Sequence, residues 1–274
     1  MSPDTALHAI VDSSGRPVVA GDLPFDSLSL GRGVFETILV LSGKPVFARA
    51  HGERLAASCI ELGIATGAEA ACILAAGFEF AAGETPARGR LRTAVFAGAD
   101  GRGPVGLLAL AEASQPEVMS LAVSSCVRST SDSLTRHKTV SYLANLVIRD
   151  QARKAGCDDA LIVDSEGNVA ETSTANVFLG LGSRIATPSL GCILPGIVRQ
   201  WVLEAASAAD VAVEECRVTE DALSHCEYAF VTNSVVGLVG VSQIAGRNLA
   251  PASSVLAFDR LQRLYRDQLR LAAS

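Results

Sequence analysis

The chain has 274 residues, of which 49% are hydrophobic and 19% charged, a composition typical of a globular protein with a sizeable core. Its net charge of −6 gives no electrostatic case for binding nucleic acid or an anionic membrane. Because no segment approaches the roughly 20 apolar residues of a membrane span and the N-terminus lacks a secretion-signal pattern, we expect a cytoplasmic protein.

Turn residues and apolar runs predict a first domain that mixes strands and helices. The predicted strands are an opening hairpin at 6–11 and 17–20, a long strand at 30–40 that returns through 46–48, and strands at 88–96, 105–111 and 121–127. The predicted helices are 51–63 and 70–82. We place this domain at residues 1–127.

The rest of the chain predicts a second domain at residues 128–274. A Ser- and Thr-rich linker at 124–136 precedes an amphipathic helix that begins after Lys138. Predicted strands follow at 160–163, from Val169 onward and at 228–232, and predicted helices begin near Pro195 and cover 254–271. The fold class is therefore α/β (α+β).

Cysteine and histidine are scattered along the sequence. The seven cysteines are odd in number and form no CxxC pair, which predicts reduced core residues. The four histidines are equally dispersed, so we expect no metal site.

Lysine is rare, since the 23 basic residues include only Lys44, Lys138 and Lys154. Lys44 lies in a predicted turn and Lys154 near the end of a predicted helix, where a cation stabilises the helix dipole. Lys138 instead precedes an amphipathic helix, where a partly buried amine can act as a nucleophile and form a Schiff base. Lys138 is therefore the candidate for covalent chemistry.

Glu171 lies in a small, apolar and hydroxyl-rich run that extends from Val169 to Phe178. A carboxylate in such surroundings needs a positive partner. A protonated pyridine nitrogen would be such a partner, and the charge would make the ring an electron sink. A solvated glutamate at a strand end is the equally compatible alternative.

The spacing of Lys138, Tyr142, residues 156–160, Glu171 and residues 176–178 resembles the class IV aminotransferases. This family includes branched-chain and D-amino-acid transaminases and aminodeoxychorismate lyases. The resemblance implies a two-domain D-amino-acid-transaminase-like fold with pyridoxal 5′-phosphate between the domains. It also implies a homodimer.

The resemblance assigns roles to the matching residues. Lys138 becomes the Schiff-base lysine and proton carrier, Glu171 the partner of the ring nitrogen, and Tyr142 the contact of the ring hydroxyl. The remaining cofactor contacts are Arg54 for the phosphate, Leu194 for the ring, and Ile197, Val198, Ser234 and Val235 for the phosphate.

The predicted substrate contacts are Arg32, Phe35, Thr37 and Arg92. Arg32 stands where the family usually has an aspartate, and Arg92 lies on a predicted central strand. Two guanidinium groups at one pocket would bind the carboxylates of an amino acid and a 2-oxo acid. If both are surface arginines, the lyase alternative gains support.

From these features we predict a transaminase that moves an amino group between a small D-amino acid and a 2-oxo acid such as 2-oxoglutarate. The alternative is 4-amino-4-deoxychorismate lyase, which gives 4-aminobenzoate and pyruvate. Tyr142 favours the transaminase, whereas Asn233-Ser234 with Gly237, and the segment 98–103, are more similar to the lyase. A binding module without catalysis is disfavoured because Lys138, Glu171 and Arg54 are all present.

Overall fold

The computed structural model describes residues 7–19, 23–83, 86–99 and 101–273, and the chain divides into two compact units. The first unit contains the described residues up to Ser114, the segment His137–Ser141 and the chain end from Leu269. The second contains Gln115–Arg136 and Tyr142–Gln268. These units differ from the predicted domains in where they place the segment that carries Lys138. The predicted boundary after residue 127 stays a prediction.

The described residues of the first unit form one antiparallel sheet and three helices, together with the end of a helix that begins in the second unit. Its strands are β1 (Leu7–Val11), β2 (Gly33–Leu41), β3 (Lys44–Pro45), β4 (Arg88–Phe96) and β5 (Val105–Glu112), in the order β1-β5-β4-β2-β3. Its helices are α1 (Phe25–Ser29), α2 (Ala48–Glu61) and α3 (Gly67–Gly83).

One face of this sheet packs on α2 and α3. Val34 and Ile38 of β2 lie in one buried cluster with Leu55 of α2 and Ile73 of α3. Burying an aliphatic side chain of this size contributes about 1.5–3 kcal/mol. Because successive side chains of a strand point to opposite faces, Glu36 lies on the same face as Val34 and Ile38.

The structure corrects the predicted return strand at 46–48. Phe47 has a φ of 55°, a left-handed conformation that cannot continue a strand, and α2 begins directly after it at Ala48. The helix therefore begins before the predicted start at His51. The opening hairpin is confirmed by β1 and by the bridge between Val11 and Pro17, while residues 6 and 20 lie outside the described residues.

The second unit is built on a larger mixed sheet. Its strands are β6 (Val118–Val123), β7 (Asp159–Val163), β8 (Val169–Thr172), β9 (Asn176–Leu181), β10 (Arg184–Pro188), β11 (Val213–Cys216), β12 (Tyr228–Asn233), β13 (Gly237–Ile244) and β14 (Arg247–Asn248). The order is β11-β10-β9-β12-β13-β6-β7-β8, and β14 pairs with β13. The helices are α4 (Leu143–Lys154), α5 (Ile197–Ala208) and α6 (Leu256–Ala273), with 3₁₀ turns at Ser133–Arg136, Glu220–His225 and Ala252–Ser254.

Three predicted elements of this unit end or begin elsewhere. The strand predicted at 121–127 is β6, which stops at Val123. The single strand predicted from Val169 is divided into β8 and β9, because Thr172 Oγ1 accepts the Ala175 N–H and closes a turn. The helix predicted near Pro195 begins at Ile197, after Gly196 as its N-cap.

The structure also bears on the cysteines and on two classes of site. Cys59 and Cys226 are buried, but Cys72 and Cys126 are exposed, so the prediction of core cysteines is wrong for the latter two. Within the described residues, no cluster of His, Cys, Asp and Glu is suited to hold a metal ion. None of the helices in this part of the chain combines the length and hydrophobicity needed to cross a bilayer.

Candidate active site

Lys138 lies in a short extended segment that is attached to β2. The Phe35 N–H donates to the Lys138 carbonyl at 2.8 Å, and the Val140 N–H donates to the Gly33 carbonyl at 3.0 Å. These backbone bonds fix the lysine to a strand instead of a free loop. Sequence reasoning identified the lysine but not this strand, because the pairing joins residues about a hundred positions apart.

The segment is also held by its first residue. His137 Nδ1 lies 3.0 Å from Ser58 Oγ, and Nε2 lies 3.5 Å from Glu61 Oε1. Both partners belong to α2, so the segment is attached to the helix as well as to β2. Lys138 therefore follows directly after a doubly anchored residue.

Three of the four predicted substrate residues lie on one face of β2 and β4, and the Lys138 amine contacts the aromatic ring on that face. Lys138 Nζ is 4.4 Å from the centre of the Phe35 ring, and Arg92 Cζ is 5.0 Å from the same ring centre. Thr37 pairs directly with Arg92 across β2 and β4. Directly paired residues share a sheet face. The amine, the aromatic ring, the hydroxyl and one guanidinium therefore form one cluster on the face opposite Glu36.

The fourth residue, Arg32, lies elsewhere. It is exposed, and its Nη2 donates to the Gly63 carbonyl at 3.4 Å, just beyond the end of α2. Arg92 instead lies over the Phe35 ring, on the face of the sheet opposite Glu36. The structure does not bring the two arginines together, so the predicted guanidinium pair is not formed within the first unit.

Arg54 is held by a buried carboxylate. Its Nε and Nη2 donate to the two oxygens of Glu36 at 2.8 and 2.6 Å, and His51 Nδ1 lies 2.7 Å from Glu36 Oε2. His51 and Arg54 are three residues apart on α2 and therefore lie on the same side of the helix. The exposed fractions are 13% for the Arg54 side chain, 1% for Glu36 and 0% for His51.

The ionisation of this trio follows from its geometry. Burial alone would raise the pKa of Glu36, but Arg54 and His51 outweigh burial and lower the pKa to about 2. Burial lowers the pKa of His51 against the opposing effect of Glu36. His51 Nε2 has no hydrogen-bond partner among the described residues. The trio therefore contains one anion, one cation and a neutral imidazole that donates from Nδ1.

In the second unit, Glu171 is surrounded by N–H donors. Arg128 Nη1 donates to Oε1 at 2.5 Å, while Asn176 Nδ2 and the Leu194 N–H each donate to Oε2 at 3.1 Å. The residue is only 7% exposed. The positive partner that a buried Glu171 requires is thus present as Arg128, and the solvated alternative is wrong.

Tyr142 is oriented by the turn that follows β8. Its hydroxyl donates to the Ser173 carbonyl at 2.8 Å, and Asn145 Nδ2 donates to the same carbonyl at 2.7 Å. Ser173 Oγ in turn donates to the buried Asp159 at 2.5 Å. Burial raises the pKa of the Tyr142 hydroxyl, so it keeps its proton at neutral pH.

The first segment predicted to bind the cofactor phosphate is the start of α5. Among the described residues, no side chain caps this helix and no acidic residue lies in its first turn. A helix N-terminus of this kind favours an anion through its N–H groups and its dipole. Gly196 allows a close approach, because a Cβ at this position would collide with Asn176 Oδ1. Asn176 also donates to the Leu194 carbonyl at 3.0 Å and so joins this end to Glu171.

The second predicted phosphate element follows β12. The N–H groups of Val235 and Val236 both donate to Asn233 Oδ1 at 2.9 Å. The Val235 amide therefore already has an acceptor in this conformation. Ser234 is half-buried in the same turn. Their roles as phosphate ligands stay predictions.

The residues present have the chemistry that pyridoxal 5′-phosphate requires. The first unit supplies an amine over an aromatic ring and a fixed guanidinium, and the second supplies a buried carboxylate and an uncapped helix N-terminus. Such a cofactor supplies an electron sink when it is bound. The roles of Lys138, Arg54, Glu171 and the start of α5 as its ligands stay predictions.

Sequence reasoning missed Glu36, His51 and Arg128. A signal for Glu36 existed, since it alternates with Val34 and Ile38 on the face predicted to be buried, where a charge needs a partner. The signal for its partner was the pair of basic positions on the following helix. Arg128 gave no signal, because it lies in a Ser- and Thr-rich segment 43 residues from Glu171.

Comparison with known proteins agrees with this geometry. Residues 33–244 match the family described as Amino-transferase class IV. A branched-chain-amino-acid aminotransferase of Pseudomonas aeruginosa is 29% identical over 49% of this chain, and the match covers 44% of that protein. The chain spans less than half the length of the first such relatives. Aminodeoxychorismate lyase of Bacillus subtilis is 29% identical over 90% of this chain and 89% of its own length.

Solved structures share the whole fold. A candidate 4-amino-4-deoxychorismate lyase of Legionella pneumophila superimposes with a TM-score of 0.81 at 27% identity, covering 94% of this chain and 98% of its own. A branched-chain aminotransferase of Thermoproteus uzoniensis gives 0.82 at 24% identity, covering 96% and 94%. The predicted two-domain fold is thereby confirmed. Because the family match covers most of the chain, the protein belongs to the class IV aminotransferases, which are pyridoxal-phosphate enzymes, as the sequence resemblance predicted.

Proposed function

We propose that this protein is a 4-amino-4-deoxychorismate lyase that releases 4-aminobenzoate and pyruvate. The observation that carries the proposal is the match to the Bacillus subtilis lyase, which extends over nearly the whole of both chains. The sequence matches to the first such branched-chain aminotransferases cover half of this chain or less, although solved structures of both kinds of enzyme share the fold. The transaminase predicted from the sequence becomes the second candidate.

The positions of Arg32 and Arg92 also favour the lyase over the transaminase. The transaminase prediction relied on Arg32 and Arg92 acting together on the carboxylates of an amino acid and a dicarboxylic 2-oxo acid. Arg32 instead contacts the Gly63 carbonyl, whereas Arg92 contacts the same Phe35 ring as the Lys138 amine. Arg92 with Thr37 is sufficient to bind one carboxylate of the lyase substrate by a charge-assisted hydrogen bond. The role of Arg32 as a substrate ligand stays a prediction.

Lys138 is the proton carrier in both candidate reactions. Its Nζ would hold the cofactor covalently until the substrate amine replaces it, and would then remove the proton from the carbon that carries this amine. In the lyase reaction the electron pair of that C–H bond would break the neighbouring C–O bond, and the enolpyruvate released would take up a proton to become pyruvate. In a transaminase, Lys138 would instead return the proton at a different carbon. Glu171 would keep the ring nitrogen protonated, and Tyr142 would orient the ring. Arg54, Ile197, Val198 and Ser234 bind the phosphate.

A transaminase remains the second candidate because Tyr142 is fixed as a hydroxyl donor, which matches the tyrosine of the branched-chain transaminases. The substrates proposed in that case are a small D-amino acid and 2-oxoglutarate. Both candidate reactions use the same lysine, so the geometry of the site alone does not distinguish them. The products of the two reactions distinguish them.

The test supplies the purified, cofactor-loaded protein with one substrate set at a time. With aminodeoxychorismate we expect equal amounts of 4-aminobenzoate and pyruvate, measured by chromatography. With D-alanine and 2-oxoglutarate we expect at most a trace of D-glutamate. Lys138→Ala is the control that must abolish either activity. Rapid D-glutamate formation without 4-aminobenzoate would replace the lyase by the transaminase.

We also propose that the protein acts as a homodimer. Leu143, Leu146 and Val147 on α4 are 71%, 38% and 41% exposed, an apolar patch that a second copy would cover. Light scattering of the purified protein measures its mass. The location in the cytoplasm stays a prediction from the sequence.

A further inference from the structure

We propose that Glu36, held by His51, is a positioning residue that fixes the guanidinium of Arg54 for the cofactor phosphate. The inference rests on the proposed role of Arg54 as a phosphate ligand. It adds two residues to the site that contribute no contact to the phosphate themselves. Both act by determining where the Arg54 guanidinium lies.

The bidentate contact fixes the plane of the guanidinium. Glu36 accepts from Nε and Nη2 with its two oxygens, so this contact sets the plane and the direction of the guanidinium. A guanidinium of fixed plane has the fork geometry that suits two oxygens of a phosphate. An arginine that is already ordered loses less side-chain entropy when it binds an anion.

His51 is the second residue of α2 that holds the Glu36 carboxylate. Its Nδ1 contacts Oε2, the same oxygen that accepts from Arg54 Nη2. His51 is fully buried, and Nε2 has no partner among the described residues. A protonated ring would bury an unpaired N–H, so the ring is neutral and donates one hydrogen bond. Its effect on Arg54 is therefore one of position and not of charge.

Glu36 has two opposing effects on phosphate binding. Its negative charge weakens the attraction between Arg54 and an anion, while its hydrogen bonds hold the guanidinium in place. A variant that removes the charge would change both effects at once. Glu36→Asp keeps the charge and moves the carboxylate back by one methylene, and Arg54 follows because a buried ion pair is costly to break. This variant isolates the positional effect.

The experiment compares two aldehydes that differ only in the phosphate. Apo-protein is titrated with pyridoxal 5′-phosphate and, separately, with pyridoxal, and Kd is measured from the absorbance of the bound form. For Arg54→Gln we expect the Kd of the phosphorylated aldehyde to rise roughly ten- to a hundredfold, the value of one or two charged hydrogen bonds. For Glu36→Asp we expect a rise of roughly tenfold. The Kd of pyridoxal should hardly change in either variant.

Two further variants keep the test decisive if Glu36→Asp folds poorly. His51→Val removes the donor to Glu36, whereas His51→Asn retains a donor near the position of Nδ1, so only the former should weaken binding of the phosphorylated aldehyde. Thr93→Val is the matched control, because Thr93 is fully buried and pairs directly with Glu36 across β2 and β4. It should leave both Kd values unchanged.

The outcomes separate the inference from the proposed function. If Arg54→Gln changes neither Kd, Arg54 does not bind the phosphate and its proposed role fails. If Arg54→Gln has its effect but Glu36→Asp and His51→Val have none, the positioning role is overturned while Arg54 keeps its role. An equal rise for both aldehydes in the Glu36 and His51 variants would show a purely structural effect and would also overturn the inference.

Discussion

Arg128 and Glu171 form an ion pair in the second unit, with Arg128 Nη1 2.5 Å from Glu171 Oε1 and with side chains that are 12% and 9% exposed. Arg128 also donates to the Cys192 carbonyl at 3.0 Å, so the guanidinium is held from two sides. The charge of Glu171 is therefore balanced within the protein, and its position is fixed by Arg128, Asn176 and the Leu194 N–H. The role of this carboxylate as the partner of a ring nitrogen stays a prediction.

We expect Arg128→Met to lower the free energy of unfolding by about 3–5 kcal/mol, because it leaves a buried carboxylate without its cation. Adding Glu171→Gln to this variant should restore part of the loss, since the remaining group is neutral. Urea unfolding of the apo-protein measures all four members of this double-mutant cycle.

The exposed pair of Arg217 and Glu166 is the matched control. Its side chains are 76% and 46% exposed at an N–O distance of 2.7 Å. Arg217→Met should change the free energy of unfolding by less than about 1 kcal/mol. If the Arg128 and Glu171 substitutions prove additive, the two residues are not coupled and the ion pair has no structural role.

The three lysines allow a direct test of the covalent site. Borohydride reduction of the cofactor-loaded protein converts a lysine imine into a stable adduct that mass spectrometry locates on a peptide. We expect the adduct on Lys138, because its Nζ lies over the Phe35 ring, on the sheet face that also carries Thr37 and Arg92. Lys138→Ala should yield no adduct, while Lys44→Ala and Lys154→Ala should react like the parent protein. An adduct on Lys44 or Lys154 would move the active site.

Glu36 should make stability depend on pH at the acid end. Its pKa is about 2 in the folded protein against a usual 4.5, so the unfolded chain binds the proton more tightly. The stability due to this difference, about 3 kcal/mol, is fully present above pH 4.5 and is lost as the pH falls towards 2. Urea unfolding between pH 7 and pH 2 measures the loss.

Glu36→Gln provides the comparison for this pH dependence. The variant should be less stable than the parent at pH 7, and the two stability curves should converge as the pH approaches 2. Curves that stay parallel over this range would show that Glu36 is not the group responsible.

The features that were predicted best from the sequence are local. Lys138 stood out because lysine is rare and because a helix follows it, and β4 was predicted at its observed bounds, since β-branched and apolar residues are frequent in it. The change from strand to helix at Phe47 was not predictable, because a left-handed phenylalanine carries no sequence signal. Neither was the division of β8 from β9, which depends on the side-chain hydroxyl of Thr172.

The other features that the sequence did not predict depend on pairings between residues that are far apart in the chain. The segment around Lys138 pairs with β2, and Arg128 meets Glu171, although no periodic pattern connects either pair. The spacing of two arginines likewise could not decide which sheet face each one uses. In the structure, Arg92 shares a face with Phe35 and Thr37, whereas Arg32 contacts the Gly63 carbonyl.

The different positions of Arg92 and Arg32 lead to a prediction about substrate binding. Arg92→Ala should raise KM for a carboxylate substrate roughly ten- to a hundredfold, because a charged hydrogen bond contributes about 1.5–3 kcal/mol. Arg32→Ala tests the sequence prediction that both arginines act together, and the geometry favours an effect at Arg92 alone. Steady-state kinetics with the natural substrate measures both variants.

Arg90→Ala is the matched control for these measurements. Arg90 lies on the same strand and face as Arg92, but it pairs with Leu39 instead of Thr37 and so lies further from the Phe35 ring. Its removal should leave KM within about twofold of the parent value, as expected for an exposed charge outside the contact. Because an amine without a carboxylate cannot bind the guanidinium, its turnover should be the same in the parent protein and in the Arg92→Ala variant. A loss of equal size for both substrates would mean that Arg92 supports the fold or the Phe35 ring, and Arg92 would then no longer be a substrate ligand.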